Sequence, residues 1–193
     1  DVNMKSILRL LQLIFLLPLS GAAAVTEADI CVYGGTSGGV VAAVQSARMG
    51  QRVVLIEPGR HLGGMTSGGL SAVDIGDPRS VGGIAREYFT RLVASYGKEL
   101  NWGEAFSSRH GGGPATGGAY SIEPRVAERV FAEMAKEAGV IVWRSARLKA
   151  AIREGLRITE LQMDDGRTVR GKMFIDATYE GDLMAAAGVA YTI

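Results

Sequence analysis

The apolar positions of the chain come in short blocks separated by polar, glycine-containing turns. Ile30–Tyr33 and Val53–Ile56 are unbroken apolar runs, the composition of strands buried on both faces. Between them, Val40–Met49 carries small and apolar residues at helical spacing and ends at Gly50. The spacing predicts a second helix over Val81–Gly97, with Ile84, Tyr88, Leu92 and Val93 on one face. A third helix is predicted over Glu123–Ala138. Pro124 suits its first turn, Val126, Val130, Phe131 and Met134 form its apolar stripe, and Gly139 ends it. Val140–Trp143 reads as a third parallel-type strand. The period then changes: Ala146–Glu154, Ile158–Asp164 and Thr168–Arg170, with a turn at Asp165-Gly166, predict an antiparallel meander. Met173–Asp176 is a further buried strand, followed by a short helix Leu183–Ala187 closed by Gly188. This order predicts an α/β fold, a Rossmann-like parallel sheet with an inserted antiparallel β-meander. Residues 71–122 form a helical and loop insertion, in which Asn101–Ala119 is a polar, glycine-rich loop.

The first 24 residues have a different pattern. Met4, Lys5 and Arg9 make a basic start, Leu10–Leu19 is apolar, and Ser20–Ala24 offers small residues to a peptidase. This predicts a secretory signal peptide over 1–24, cleaved near Ala22–Ala24, and a domain over 25–193. The apolar run is short against the roughly 20 residues of a membrane span, so no stable anchor is expected after cleavage. The expected location is periplasmic or secreted. The formal net charge of +1 gives no support for a nucleic-acid partner. Hydrophobic residues make up 47% of the 193, enough for one domain with a sizeable core. Cys31 is the only cysteine, so it forms no intrachain disulfide and is expected to pack in the core. The only histidines are His61 and His110, too few for a histidine-rich metal site, and no metal is expected.

The chemistry is concentrated at Ile30–Glu57: strand, glycine turn, helix, strand, acid. Gly34, Gly35, Gly38 and Gly39 make a turn that opens a helix. Unpaired N–H groups and the positive end of a helix dipole favour a phosphate there, and glycine lets it approach the backbone. Glu57 stands at the end of the second strand, about 20 residues past the turn, where it would accept from ribose hydroxyls. That favours FAD or NAD over NADP. Thr36 holds the second glycine position of the G-x-G-x-x-G register; its hydroxyl could donate to a phosphate, or its bulk could spoil the site. A second glycine-rich loop, His61-Leu-Gly-Gly-Met-Thr-Ser-Gly-Gly-Leu70, follows Pro58-Gly59.

Three segments, Tyr33–Val40 with Leu55–Gly59, His61–Leu70 and Phe174–Leu183, together resemble the bacterial FAD-dependent oxidoreductase family of the glutathione-reductase-type flavoprotein fold. Its members are often labelled xanthan lyase or heterodisulfide-reductase-like. The resemblance covers about 28–192. It implies FAD as cofactor and transfer of a hydride or electron pair between flavin and a small-molecule substrate. Gly34, Gly35, Thr36, Ser37, Gly38 and Gly39 would cradle the pyrophosphate. Glu57 would bind the adenosine ribose, with Pro58 beside it. Gly63, Gly64 and Met65 would run along the pyrophosphate and ribityl chain. Leu148 would contact adenine through its backbone, and Ala177 and Thr178 would pack near the cofactor. The family pattern there is often Ala-Thr-Gly, and Tyr179 replaces that glycine. Members usually run to several hundred residues, so the chain reads as the N-terminal part of a longer flavoprotein. The resemblance assigns no catalytic residue.

Other readings compete. Gly35-Thr-Ser-Gly-Gly39 also fits the G-x-S-x-G elbow of a serine hydrolase, with Ser37 as nucleophile and His110–Gly113 resembling an oxyanion-hole motif. The order of those parts is wrong for that fold. An NAD-binding dehydrogenase and an inactive truncated fragment are further alternatives. His61 either faces the flavin or bonds backbone in its loop. Arg86, Arg109 and Arg125 either reach an anionic substrate or are solvated, and Asp74 and Asp77 read as turn formers. Trp102, Phe106 and Tyr120 either line a carbohydrate-like site or pack in their loop.

Overall fold

The computed structural model describes residues 25–70, 72–73, 75, 77–103, 113–114 and 117–192. The leader expected at 1–24, together with Asp74, Phe106, Arg109 and His110, lies outside them.

Four strands form an all-parallel sheet: β2 (Ile30–Tyr33), β3 (Val53–Ile56), β4 (Ile141–Trp143) and β8 (Met173–Asp176), in the order β4-β3-β2-β8. The register sets Cys31 against Val54 on one side and Phe174 on the other. β1 (Val25–Glu27), β5 (Leu148–Glu154), β6 (Arg157–Met163) and β7 (Thr168–Arg170) form a second sheet, β1-β7-β6-β5. Its β5, β6 and β7 are the expected antiparallel meander, and β1 joins β7 in parallel. The helices are α1 (Ser37–Arg48), α2 (Gly83–Ala94), α3 (Pro124–Glu137) and α4 (Asp182–Ala186).

The unbroken apolar runs have a direct cause. β2 and β3 are covered on both faces, so both alternating sets of side chains need apolar surroundings. On one face Val32, Leu55, Val40 and Val44 pack with Val130, Phe131 and Met134 of α3. On the other face Cys31, Tyr33, Val54 and Ile56 pack with Leu161, Met163 and Val169 of the meander. Each such side chain contributes roughly 1.5–3 kcal/mol by leaving water. Cys31 is fully buried, as expected of a packing residue, and burial pushes its thiol up to about 12.

The differences from the expected elements are local. α1 begins at Ser37 instead of Val40, because Thr36 caps it: the Thr36 hydroxyl accepts from the Gly39 N–H at 3.1 Å. β1 was not foreseen. It is three residues long and largely exposed, so it has no periodicity to read. Asp29 joins the two sheets. Its carboxylate accepts from the Arg52 N–H at 2.9 Å and pairs with Lys172 at 2.8 Å, and these contacts hold it well below the usual carboxylate range. In α2, Tyr88 stacks on Phe131 with ring centres 4.1 Å apart. Phe89 joins Tyr88, Leu92 and Val93 in the core, while Ile84 is only partly buried.

Candidate functional site

The carboxyl ends of β2, β3 and β8 lie side by side in the parallel register, and the three sequence segments meet there. The Gly34 N–H donates to the Ile56 carbonyl and the Ala177 N–H to the Tyr33 carbonyl, at 2.8 and 2.7 Å. Two glycines of the turn are required by backbone neighbours. Gly34 has φ +103°, and a Cβ on it would stand 2.6 Å from the Ala177 carbonyl carbon. A Cβ on Gly39 would overlap the Gly34 carbonyl oxygen.

Thr36 neither points away from the fold nor crowds it. Its hydroxyl donates to the Ala177 carbonyl at 2.8 Å while capping α1. Its proton is therefore committed to protein, and the residue staples the first turn to the end of β8. The N–H groups of Ser37 and Gly38 have no acceptor among the described residues, and Gly38 is exposed. They are the orphan donors of the helix N-terminus.

Glu57 is half-buried beside this turn. Its Oε2 accepts from the Gly35 N–H at 2.7 Å and its Oε1 from the Gly59 N–H at 2.6 Å. A carboxylate has about four lone-pair sites, so acceptor capacity remains on the cleft side. The second glycine loop docks on the first: the Gly63 N–H donates to the Gly35 carbonyl at 2.7 Å. The loop is pinned to α3 by Glu128, which accepts from the Leu62 N–H at 3.2 Å and pairs with His61 Nδ1 at 2.8 Å. The expected backbone or flavin partner of His61 is thus replaced by a carboxylate.

The third segment is braced from within. Asp176 accepts from the Thr178 N–H at 3.0 Å, the Thr178 hydroxyl at 2.7 Å and the Met184 N–H at 2.8 Å. Between the segments lies a cleft of about 180 Å³, lined by Gly34, Thr36, Glu57, Pro58, Gly64 and Tyr179 among others. Pro58 and Asp182 also line a neighbouring cleft of about 430 Å³ that reaches Tyr33, Arg147 and Leu148. The two clefts form one trough running from the glycine loops past the Glu57 strand end to β5.

This trough brings together Gly34, Thr36, Glu57, Pro58, Gly64, Thr178 and Leu148. Gly35, Gly39, Gly63 and Ala177 form the packed wall behind it. Ser37 and Gly38 line an apolar hollow on the α2 side. Met65 sends its side chain to solvent beside Leu70 and Val73, and only its N–H turns to Tyr179. The Leu148 N–H is occupied by the Tyr33 hydroxyl at 2.9 Å. Tyr33, Glu128 and Asp176 were not singled out from the sequence. Asp176 alone carried a signal, since it ends an apolar strand at the site edge. Arg86 lies over the Trp102 ring at 4.1 Å, and Arg125 pairs with Glu123 at 3.3 Å. Among the described residues no histidine nitrogen reaches Ser37, His61 being paired with Glu128.

The arrangement fits a dinucleotide. It offers free amides at a helix N-terminus, glycines that clear the approach, and an acceptor carboxylate one strand away. A family model described as FAD dependent oxidoreductase matches residues 29–193. No curated protein sequence matches the chain. Among solved structures, L-proline dehydrogenase from P. horikoshii aligns with TM-score 0.60 and 18% identity, over 88% of this chain and 58% of its own. The THI4 protein of Thermovibrio ammonificans aligns with TM-score 0.57 and 18% identity, over 98% and 73%. A geranylgeranyl bacteriochlorophyll reductase-like protein from Thermoplasma acidophilum gives 0.59 and 19%, over 88% and 44%. At these identities the likeness is one of fold. The chain spans 58% of the length of the first of these proteins.

Proposed function

The chain belongs to the FAD dependent oxidoreductase family, with FAD as cofactor, and from that premise we propose that the protein is a flavoenzyme acting on an organic small molecule. When bound, FAD supplies the hydride or electron-pair chemistry, and the protein binds and orients it. The observation that carries this reading is the trough at the ends of β2, β3 and β8, with Glu57 and the α1 cap residue Thr36 on its wall.

Each residue has a part. The Ser37 and Gly38 amides donate to the pyrophosphate. Gly34, Gly35 and Gly39 keep the wall behind it flat, and Thr36 holds that wall to β8. Glu57 accepts from the adenosine ribose with the lone pairs that Gly35 and Gly59 leave open. Pro58, Tyr33 and Leu148 border the adenine end. Gly63, Gly64 and Met65 extend the wall toward the flavin, and Ala177 and Thr178 close the third side. Export through the leader at 1–24 belongs to the same proposal, and the N-terminal sequence of the mature protein tests it.

The test is FAD titration of the intact protein, followed by flavin fluorescence. Glu57→Ala removes every carboxylate contact and should weaken binding about tenfold or more. Glu57→Gln keeps one acceptor oxygen and should lose less. Equal affinity in the wild type and both variants would sink the ribose assignment.

A further inference from the structure

Tyr179 stands where the family pattern has glycine, and it reaches back to the second glycine loop. Its hydroxyl accepts from the Met65 N–H at 2.8 Å. A Cβ on Gly64 would overlap that hydroxyl and would stand 3.3 Å from Thr36 Cα. The phenol oxygen therefore lies beside the residue that caps α1, on the wall of the same cleft as Gly34 and Glu57.

The lining of this cleft poses an electrostatic problem for a pyrophosphate. Among the described residues it carries Glu57, Glu180 and Asp182 but no lysine or arginine, Arg147 lining only the adjoining cleft at the Leu148 end, and His61 is turned to Glu128. The anion must be held by neutral donors. Three hydroxyls line the cleft. The Thr36 proton goes to the Ala177 carbonyl and the Thr178 proton to Asp176. The Tyr179 oxygen accepts from Met65, but its own proton has no acceptor among the described residues. A phenol can accept and donate at once.

We infer that Tyr179 is an additional phosphate-binding residue of this cleft, its hydroxyl donating to a pyrophosphate oxygen of the cofactor. A side-chain donor then takes the place of the close backbone approach that glycine allows. The inference rests on the FAD reading above.

The experiment compares wild type and Tyr179→Phe in the intact protein, titrated with FAD, ADP and adenosine. Tyr179 is 55% exposed, so the phenylalanine variant should fold, and its thermal midpoint checks this. FAD and ADP should each bind about tenfold more weakly, with adenosine unchanged, because only the first two carry phosphate. Unchanged or tighter FAD binding in the variant would overturn the inference, and would make the phenol a bystander or an obstruction. An equal loss for adenosine would also overturn it, since that marks a general disturbance of the loop. A wild type that binds no FAD would bring down the cofactor reading itself, and the Tyr179 role with it.

Discussion

The two glycine-rich segments look alike in sequence, yet their glycines are needed for different reasons. At Gly34 and Gly39 an added side chain would meet backbone, the Ala177–Thr178 peptide and the Gly34 carbonyl in turn, while at Gly35 it would meet the Leu62 and Glu57 side chains. At Gly63 and Gly64 it would meet side chains, Ser67 and Phe131 against the first and the Tyr179 phenol against the second; at Gly68 it would touch the loop's own Gly64 carbonyl at 3.0 Å, and at Gly69 nothing within 4 Å. Backbone held between parallel strands cannot give way, whereas a hydroxyl or phenol can rotate. The first turn is a rigid frame built by the sheet. The second loop is an adjustable wall laid against it and held by Glu128 and Tyr179.

The largest expected effect breaks the rigid frame. Gly39→Ala should cost at least about 3 kcal/mol by forcing the helix away from Gly34. Little folded protein should be recovered, and a variant melting within a few degrees of wild type would refute the distinction. Thr36→Val removes both the cap and the staple to Ala177. It should cost about 2 kcal/mol in urea unfolding. Gly64→Ala tests the adjustable wall. Gly64 has φ +54°, so alanine pays about 1 kcal/mol for the left-handed backbone while Tyr179 swings aside. A loss as large as that of Gly39→Ala would make the second loop as rigid as the first. The smallest change is expected inside the rigid turn itself. A Cβ on Gly38 meets only the Thr36 hydroxyl, at 3.8 Å, so Gly38→Ala should shift stability by no more than about 1 kcal/mol, in the stabilising direction. Its contrast with Gly39→Ala, one residue away, is the sharpest single check.

Much of the frame was legible before the structure. Ile30–Tyr33, Val53–Ile56, Thr168–Arg170 and Met173–Asp176 are strands at the boundaries expected, the first two marked by burial on both faces and the third by the turn before it; the last, expected to be buried, is partly exposed, with Met173 largely in solvent. The helix starts were less legible. A threonine in a glycine-rich turn reads as a broken motif until its hydroxyl is seen to cap Gly39. Glu128 could not be found, since it sits on the polar side of an amphipathic helix and resembles its neighbours Arg129 and Glu133. Tyr33 read as one more apolar strand residue, and its hydroxyl on the Leu148 N–H spans 115 positions.

The sequence by itself determined the unit from Ile30 to Glu57, the meander and the likeness to a flavoprotein family. Hydrophobic period, turn glycines and an acid at a strand end are all set by near neighbours. The tertiary structure alone decided how the two departures from the glycine pattern act. Thr36 meets Ala177 across 141 positions and Tyr179 meets Met65 across 114. Both contacts follow from pairing β8 beside β2 in a register that sets Asp176 against Tyr33. That pairing is a long-range choice made by burial of both sheet faces. It turns two apparent defects of the motif into the staples that close the site.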